Sequence, residues 1–187
     1  VEKLSESDAE EQVVLVDRED REIGLQAKLA AHREGNLHRA ISVLVHDGLG
    51  RLLLQKRQAG KYHSQGQWSN ACCSHPRAGE APLAAAQRRL REEMGIDCKL
   101  RQIFRTIYKQ DVGNGLIEHE LVHVFSGLYK GAVRPNPEEA DGYQWIALAD
   151  MQRAMKERPA DFSAWWRIYV RDHAPEISSA MAADAGG

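Results

Sequence analysis

Apolar and polar positions along the chain predict strands on both sides of one central helix, with further helices at the end. Val13-Val14-Leu15-Val16 reads as a strand, and Asp17 to Gly24 as a charged stretch that turns at Gly24. Ile41 to His46 is β-rich, Asp47-Gly48 supplies a turn, and Arg51 to Lys56 follows, which is the signal of a hairpin. Lys61 to Gln67 is a polar, glycine-containing loop, and Trp68 to His75 is a short extended run stopped by Pro76. Pro82 to Met94 predicts a helix: Pro82 opens it, Ala and Leu fill one stripe, and Gly95 ends it. Ile103 to Tyr108 and Leu116 to Leu128 read as strands joined by Gly113-Asn114-Gly115. Tyr143 to Ile146 is a short strand and Leu148 to Lys156 a helix. Asp161 is placed to cap a last helix that carries Phe162, Trp165, Trp166, Ile168 and Tyr169.

Strands, one helix, strands and then helices give an α/β chain of the α+β kind. Its expected core is a mixed sheet, paired mostly through hairpins and sandwiched between helices. One domain is expected over residues 13–173. Flexible ends are expected at 1–12, where the chain is polar and acidic, and at 174–187, which closes in small residues.

Composition narrows the classes of function. The 187 residues are 43% hydrophobic and 28% charged, a globular mixture. With 25 basic and 27 acidic residues the formal charge is −2, so no nucleic-acid partner is expected. No apolar run is long enough to cross a bilayer, and the polar Val1 to Glu11 is no secretory signal; no membrane partner is expected. The three cysteines, Cys72, Cys73 and Cys98, make a poor disulfide framework, which points to a reducing, cytoplasmic compartment. Cys72 and Cys73 are neighbours on an extended run, so only one of them can face a given pocket.

Eight histidines is a large number for this length. His32 and His38 bracket Gly35-Asn36, and His75 ends the run from Trp68; none is spaced like a zinc finger. Glu118-His119-Glu120 adds a second signal. On a strand Glu118 and Glu120 point the same way, and two adjacent carboxylates repel unless a cation or proton lies between them. Three imidazoles and two carboxylates would suit a divalent transition metal such as Mn²⁺ or Zn²⁺. The competing reading is a set of surface histidines and a solvated strand face.

The central helix, read by composition, is an amphipathic, salt-bridged surface helix. It also resembles the Nudix signature, which runs from a Gly through a spaced Glu to Arg-Glu-apolar-x-Glu-Glu-x-Gly-apolar. Glu80, Arg88, Leu90, Glu92, Glu93, Gly95 and Ile96 fall in register, whereas Ser74 replaces the first Gly and Arg89 replaces the first helix Glu. In Nudix hydrolases these glutamates gather Mg²⁺ on a diphosphate, so an Arg at that position removes a ligand and adds positive charge.

Further segments are similar to one branch of that superfamily, the type 1 isopentenyl-diphosphate Δ-isomerases. They are Leu29-Ala30-Ala31-His32, Leu37-His38-Arg39-Ala40, Trp68 to Pro76, Glu118-His119-Glu120 and Phe162-Ser163-Ala164-Trp165, and together they span roughly Val13 to Tyr169. The pattern Asn-x-x-Cys-x-His-Pro falls on Asn70, Cys73, His75 and Pro76. The resemblance implies a Nudix-like fold and the movement of a double bond from isopentenyl to dimethylallyl diphosphate, through a tertiary carbocation, in isoprenoid biosynthesis. It implies Cys73 on one side of the substrate and Glu120 with Tyr108 on the other, with Trp165 turning its ring to the cationic carbon. It implies a metal site of His32, His38, His75, Glu118 and Glu120, holding Mn²⁺, Zn²⁺ or Mg²⁺. A second ion, Mg²⁺ at Glu93, would arrive with the diphosphate, itself held by Lys28, Arg57, Lys61 and Arg89. The substrate implied is a small allylic or homoallylic diphosphate, and the chain would act as a monomer or homodimer. The polar stretch Gln26 to Asn36 is expected to be mobile until ligands tether it. Two other readings stand beside the isomerase: a Nudix diphosphate hydrolase, and a metal-dependent binding module without turnover.

Overall fold

The computed structural model of the chain describes residues 11–60 and 63–185. Its elements are β1 (Gln12–Val16), β2 (Glu22–Ala27), α1 (Lys28–Glu34), β3 (His38–His46), β4 (Arg51–Arg57), β5 (Trp68–Asn70), β6 (Cys72–Ser74) and α2 (Pro82–Met94). There follow β7 (Arg101–Gly113), β8 (Leu116–Leu128), β9 (Ala140–Ala147), α3 (Leu148–Glu157), a 3₁₀ turn at Pro159–Asp161, α4 (Ala164–Asp172) and α5 (Ala174–Ala185).

β3 is buried along nearly its whole length, so both of its faces need cover. Alternation divides its side chains between two apolar clusters. Ile41, Val43 and Val45 pack with Ala85, Ala86, Leu90 and Met94 of α2. Ala40 and Leu44 pack with Trp165, Trp166 and Tyr169 of α4. The mixed sheet thus lies between helices, as its burial pattern requires.

The pairing is less local than the sequence suggests. β3 runs parallel to β8 from His38–Glu120 to His46–Leu128, and antiparallel to β6 from Ile41–Ser74 to Val43–Cys72. A parallel pair needs a long crossover connection, and here that connection contains α2. The predicted β3–β4 hairpin is reduced to one pair, His46–Leu52. With β8 and β6 already flanking β3, β4 pairs along its length with β9 and beside β5. The β7–β8 hairpin forms as predicted.

Three local expectations are corrected, and one polar stretch gains a helix. The turn between β1 and β2 lies at Asp17, whose Oδ1 accepts from the N–H groups of Glu19 and Arg21, and Gly24 is extended within β2. The stretch 26–36 contains a helix, α1, closed by Gly35 in the left-handed conformation at φ 67°. Asp161 belongs to the 3₁₀ turn, and Ser163 stands at the N-cap of α4 without capping it. At the two ends, Gln12 starts β1, and residues 174–185 form α5, which buries Ile177, Ala180 and Met181 where a loose tail was expected. Among the described residues no helix is long and apolar enough to cross a membrane.

Candidate active site

Register brings the first group of site residues together. Glu120 on β8 pairs with Tyr108 on β7 and with His38 on β3, so three strands place these side chains in one row. His75 follows β6, whose Ser74 pairs with Ile41 of β3. α1 carries His32, and its glycine end returns the chain directly to His38. Residues more than forty positions apart thereby converge.

His32, His38, His75 and Glu120 are buried, and their ligand atoms all lie within 4.8 Å of one another. His32 Nδ1 is 2.9 Å from the Lys28 carbonyl, and His38 Nδ1 is 2.8 Å from the Asn36 carbonyl. Carbonyl oxygens only accept, so both Nδ1 atoms carry protons and in the neutral rings Nε2 is the atom suited to ligation. His38 Nε2 is buried without a hydrogen bond, 3.6 Å from Glu120 Oε1. Burial, with His75 and His38 nearby, lowers the His32 pKa to about 3, so the ring is neutral and able to ligate. The donor set fits a divalent cation. Glu118, the fifth predicted ligand, falls outside this tight group. It accepts a 3.0 Å hydrogen bond from the Tyr108 hydroxyl, which also lies 2.7 Å from Glu120 Oε2.

The carboxylates differ in their ionisation. Burial and the neighbouring Glu120 raise the Glu118 pKa. Burial also acts to raise Glu120, but the His38 and His75 imidazoles beside it, His75 at 3.2 Å, outweigh it and hold Glu120 well below the usual range. Burial, with the two carboxylates beside it, pushes Tyr108 well above the usual phenol value. The row therefore holds an ionised Glu120 beneath a protonated phenol.

Cys73 opens on the same cavity, of about 710 Å³, as Tyr108, Glu120 and Trp165. Its thiol lies 3.1 Å from Asn70 Oδ1 and 3.2 Å from Ser42 Oγ, and burial pushes its pKa up to about 12. Cys72 points to the other face, into the α2 cluster, and donates to Glu93 Oε1 at 3.3 Å. The alternation read from sequence therefore separates the two thiols.

Basic side chains line the cavity as well. Arg89 donates to Glu92 (2.8 Å), Glu93 (2.9 Å) and Glu139 (3.0 Å). Arg57 donates to the His63 carbonyl at 3.3 Å. The Nε atoms of Arg57 and Arg89 are both buried without a hydrogen-bond partner, in side chains that line the cavity. Lys28 lines it too and pairs with Glu11 at 2.7 Å. Lys61 lies outside the described residues. Glu93 is 3% exposed, and burial raises its pKa.

Several site residues were not found from sequence. His63 is buried in the cavity wall, with Nε2 3.5 Å from Glu118 Oε1 and its ring edge-on to Trp165 at 5.9 Å. It sits in a polar loop with no periodicity to single it out. In the sequence Asn70 is marked only as part of the Asn-x-x-Cys-x-His-Pro pattern and Ser42 and Ser69 are given no role; all three are buried polar residues within strand runs, and such residues need partners. That was the signal available for them.

The NUDIX domain family matches residues 36–166. The chain is 52% identical over 156 residues to isopentenyl-diphosphate Delta-isomerase 2 of Aromatoleum aromaticum, covering 83% of this chain and 82% of that protein. It is 44% identical over 163 residues to the isopentenyl-diphosphate Delta-isomerase of Serratia proteamaculans, covering 87% and 91%. Among solved structures, DR0079 from Deinococcus radiodurans superposes with a TM-score of 0.72 at 16% identity, over 87% of this chain and 99% of that one, which shows the shared fold alone. On these matches the chain belongs to the isopentenyl-diphosphate Delta-isomerase family of NUDIX domain proteins.

Proposed function

We propose that the chain interconverts isopentenyl diphosphate and dimethylallyl diphosphate. The observation that carries this reading is the single cavity onto which both Cys73 and the Tyr108–Glu120 pair open. Moving a double bond by one position needs two proton-handling groups and no redox centre. One group gives a proton to the terminal alkene carbon, positive charge develops at the tertiary carbon, and the other group removes a proton from the adjacent methylene. Cys73 and Glu120 with Tyr108 are those groups; whichever gives in one direction takes in the other. The indole of Trp165 faces the tertiary cation, an interaction worth about 2 kcal/mol when desolvated.

Arg57 and Arg89, whose Nε atoms are buried without a partner, would hold the diphosphate with Lys28 and Lys61. His32, His38, His75 and Glu120, joined by Glu118, would hold a divalent ion; Mn²⁺ or Zn²⁺ suits the imidazoles, and Mg²⁺ suits the carboxylates. Glu93 would hold Mg²⁺ arriving with the diphosphate. When bound, such ions supply positive charge beside Glu120 and the phosphates. Arg89 speaks against hydrolysis, because it stands where the hydrolase signature carries a metal-binding Glu, removing a ligand and adding positive charge.

Incubation with isopentenyl diphosphate and Mg²⁺ tests the reading. Dimethylallyl diphosphate is the expected product, carrying deuterium when the reaction runs in D₂O. Free phosphate would make the chain a hydrolase, and unchanged substrate would make it a binding module.

A further inference from the structure

Cys73 and Trp165 come from different elements, yet a continuous run of buried hydrogen bonds joins them. Trp165 Nε1 donates to Ser69 Oγ at 2.9 Å, and Ser69 Oγ donates to Asn70 Oδ1 at 3.2 Å. The Cys73 thiol donates to the same Oδ1 at 3.1 Å. On its other side the Asn70 amide nitrogen faces Ser42 Oγ (2.8 Å), the Val43 carbonyl (2.9 Å) and the Cys72 carbonyl (3.0 Å). Ser163 Oγ donates to Ser69 Oγ at 3.2 Å. Ser42, Ser69 and Asn70 are each at most 1% exposed.

Donor counting fixes the direction of this run. Three acceptors surround the Asn70 nitrogen, so the amide cannot flip, and its oxygen must face the thiol and Ser69. Both lone pairs of that oxygen are then filled, one by S–H and one by O–H. Ser69 has one proton, directed at Asn70, and its own lone pairs receive Trp165 and Ser163. Ser42 Oγ, 3.2 Å from the Cys73 sulfur, also meets the buried Tyr169 side chain. The Asn70 amide is thereby held in one orientation between the thiol and the indole's partner Ser69.

We propose that Asn70 and Ser69 are positioning residues that fix the Cys73 thiol and the Trp165 indole as one unit. This inference rests on the isomerase reading above. The reaction needs the thiol aimed at a carbon and the ring aimed at the neighbouring cation, so an error in their relative placement slows the chemistry without weakening the hold on the diphosphate. The start of α4 is docked separately, by the Ser163 N–H on the Trp68 carbonyl and the Trp68–Phe162 bridge. Removing the Ser69 hydroxyl therefore leaves the helix in place.

The test measures kcat and KM for isopentenyl diphosphate in wild type, Ser69→Ala, Ser69→Thr, Asn70→Asp and the Ser69→Ala/Asn70→Asp double variant. Ser69→Ala is expected to lower kcat about tenfold with KM within about twofold, because small misplacements at a reacting centre are costly in rate. Ser69→Thr keeps the hydroxyl and should recover most of the loss. Asn70→Asp, which loses both nitrogen donors, should lower kcat about a hundredfold, and the double variant should be no worse than Asn70→Asp alone. Losses that multiply, losses that appear in KM, or a Thr variant as poor as Ala would overturn the proposal. If circular dichroism shows that Asn70→Asp does not fold, the two Ser69 variants decide alone. A wild type that makes no dimethylallyl diphosphate overturns the isomerase reading and this inference with it, whereas an active wild type with losses in KM overturns this inference only.

Discussion

The Arg57 guanidinium carbon stands 5.1 Å from the centroid of the Trp165 ring. A cation therefore already rests on the indole whose π face is proposed to meet the cationic carbon, so the ring is accessible and its surroundings accept positive charge. Diphosphate would draw Arg57 towards the phosphates, because a charge-assisted hydrogen bond is stronger than a ring contact.

Trp165→Phe should accordingly keep more activity than Trp165→Leu, by about tenfold, which corresponds to roughly 1.4 kcal/mol of cation–π stabilisation. Steady-state turnover of isopentenyl diphosphate by the two variants checks it. Equal rates would reduce Trp165 to a packing residue against His63 and Tyr108.

The two adjacent thiols should separate cleanly. Cys73→Ala is expected to abolish isomerisation while leaving the fold intact, because Cys73 lines the cavity. Cys72→Ala should leave turnover within about threefold and cost about 1 kcal/mol of stability, the scale of a small buried deletion. Its loss also removes a hydrogen bond to Glu93, so a modest rise in the Mg²⁺ requirement is expected. Assay and urea unfolding on both variants distinguish the roles; comparable loss of activity would overturn them.

How far these residues were legible depends on whether local pattern or long-range register places them. α2 was readable because Pro82, the apolar stripe and Gly95 are all local; a Cβ at Gly95 would meet the Arg134 carbonyl at 2.8 Å, and its φ is 65°. The shared face of Glu118 and Glu120 was readable from alternation within β8. The parallel β3–β8 pairing, which puts His38 opposite Glu120, was not, because it depends on a crossover and leaves no local mark. His63 was missed for the same reason: only the packed fold brings a loop imidazole against Glu118 and Trp165. α5 reads as a tail because Ala and Ser dominate it, although Ile177 is 1% exposed.

The metal-free protein should lose stability as the pH falls below neutrality. The folded-state pKa of His32 is lowered to about 3 by burial and by His75 and His38, whereas the unfolded value lies near 6.5. Between those values the unfolded chain binds a proton that the folded chain does not, so stability rises with pH across that window, by about 1.4 kcal/mol per unit from this group. His63 and His75, also lowered by burial, act in the same direction. Urea unfolding in EDTA at pH 7, 6 and 5 measures the slope, and His32→Gln should flatten it by about one proton. A slope that His32→Gln leaves unchanged would show that this imidazole titrates normally in the folded state.

Occupation of the histidine cluster should be readable in α1. A helix of seven residues is too short to hold itself together in water. What fixes it is the buried His32, the Lys28–Glu11 pair at 2.7 Å, and the Lys28 N–H on the Glu11 carbonyl at 2.8 Å. A divalent ion bound at His32, His38, His75 and Glu120 would add a bond from α1 to β3, β8 and the segment after β6, so opening α1 would require releasing the metal. Hydrogen exchange at residues 28–36 should then slow by about tenfold or more on adding Mn²⁺ to chelated protein, while the already buried β3 changes little. His75→Ala should abolish that protection and lower the metal retained after dialysis, because it removes one of four converging ligands. Protection in the His75→Ala protein equal to wild type, or full metal occupancy in it, would place the ion elsewhere in the molecule.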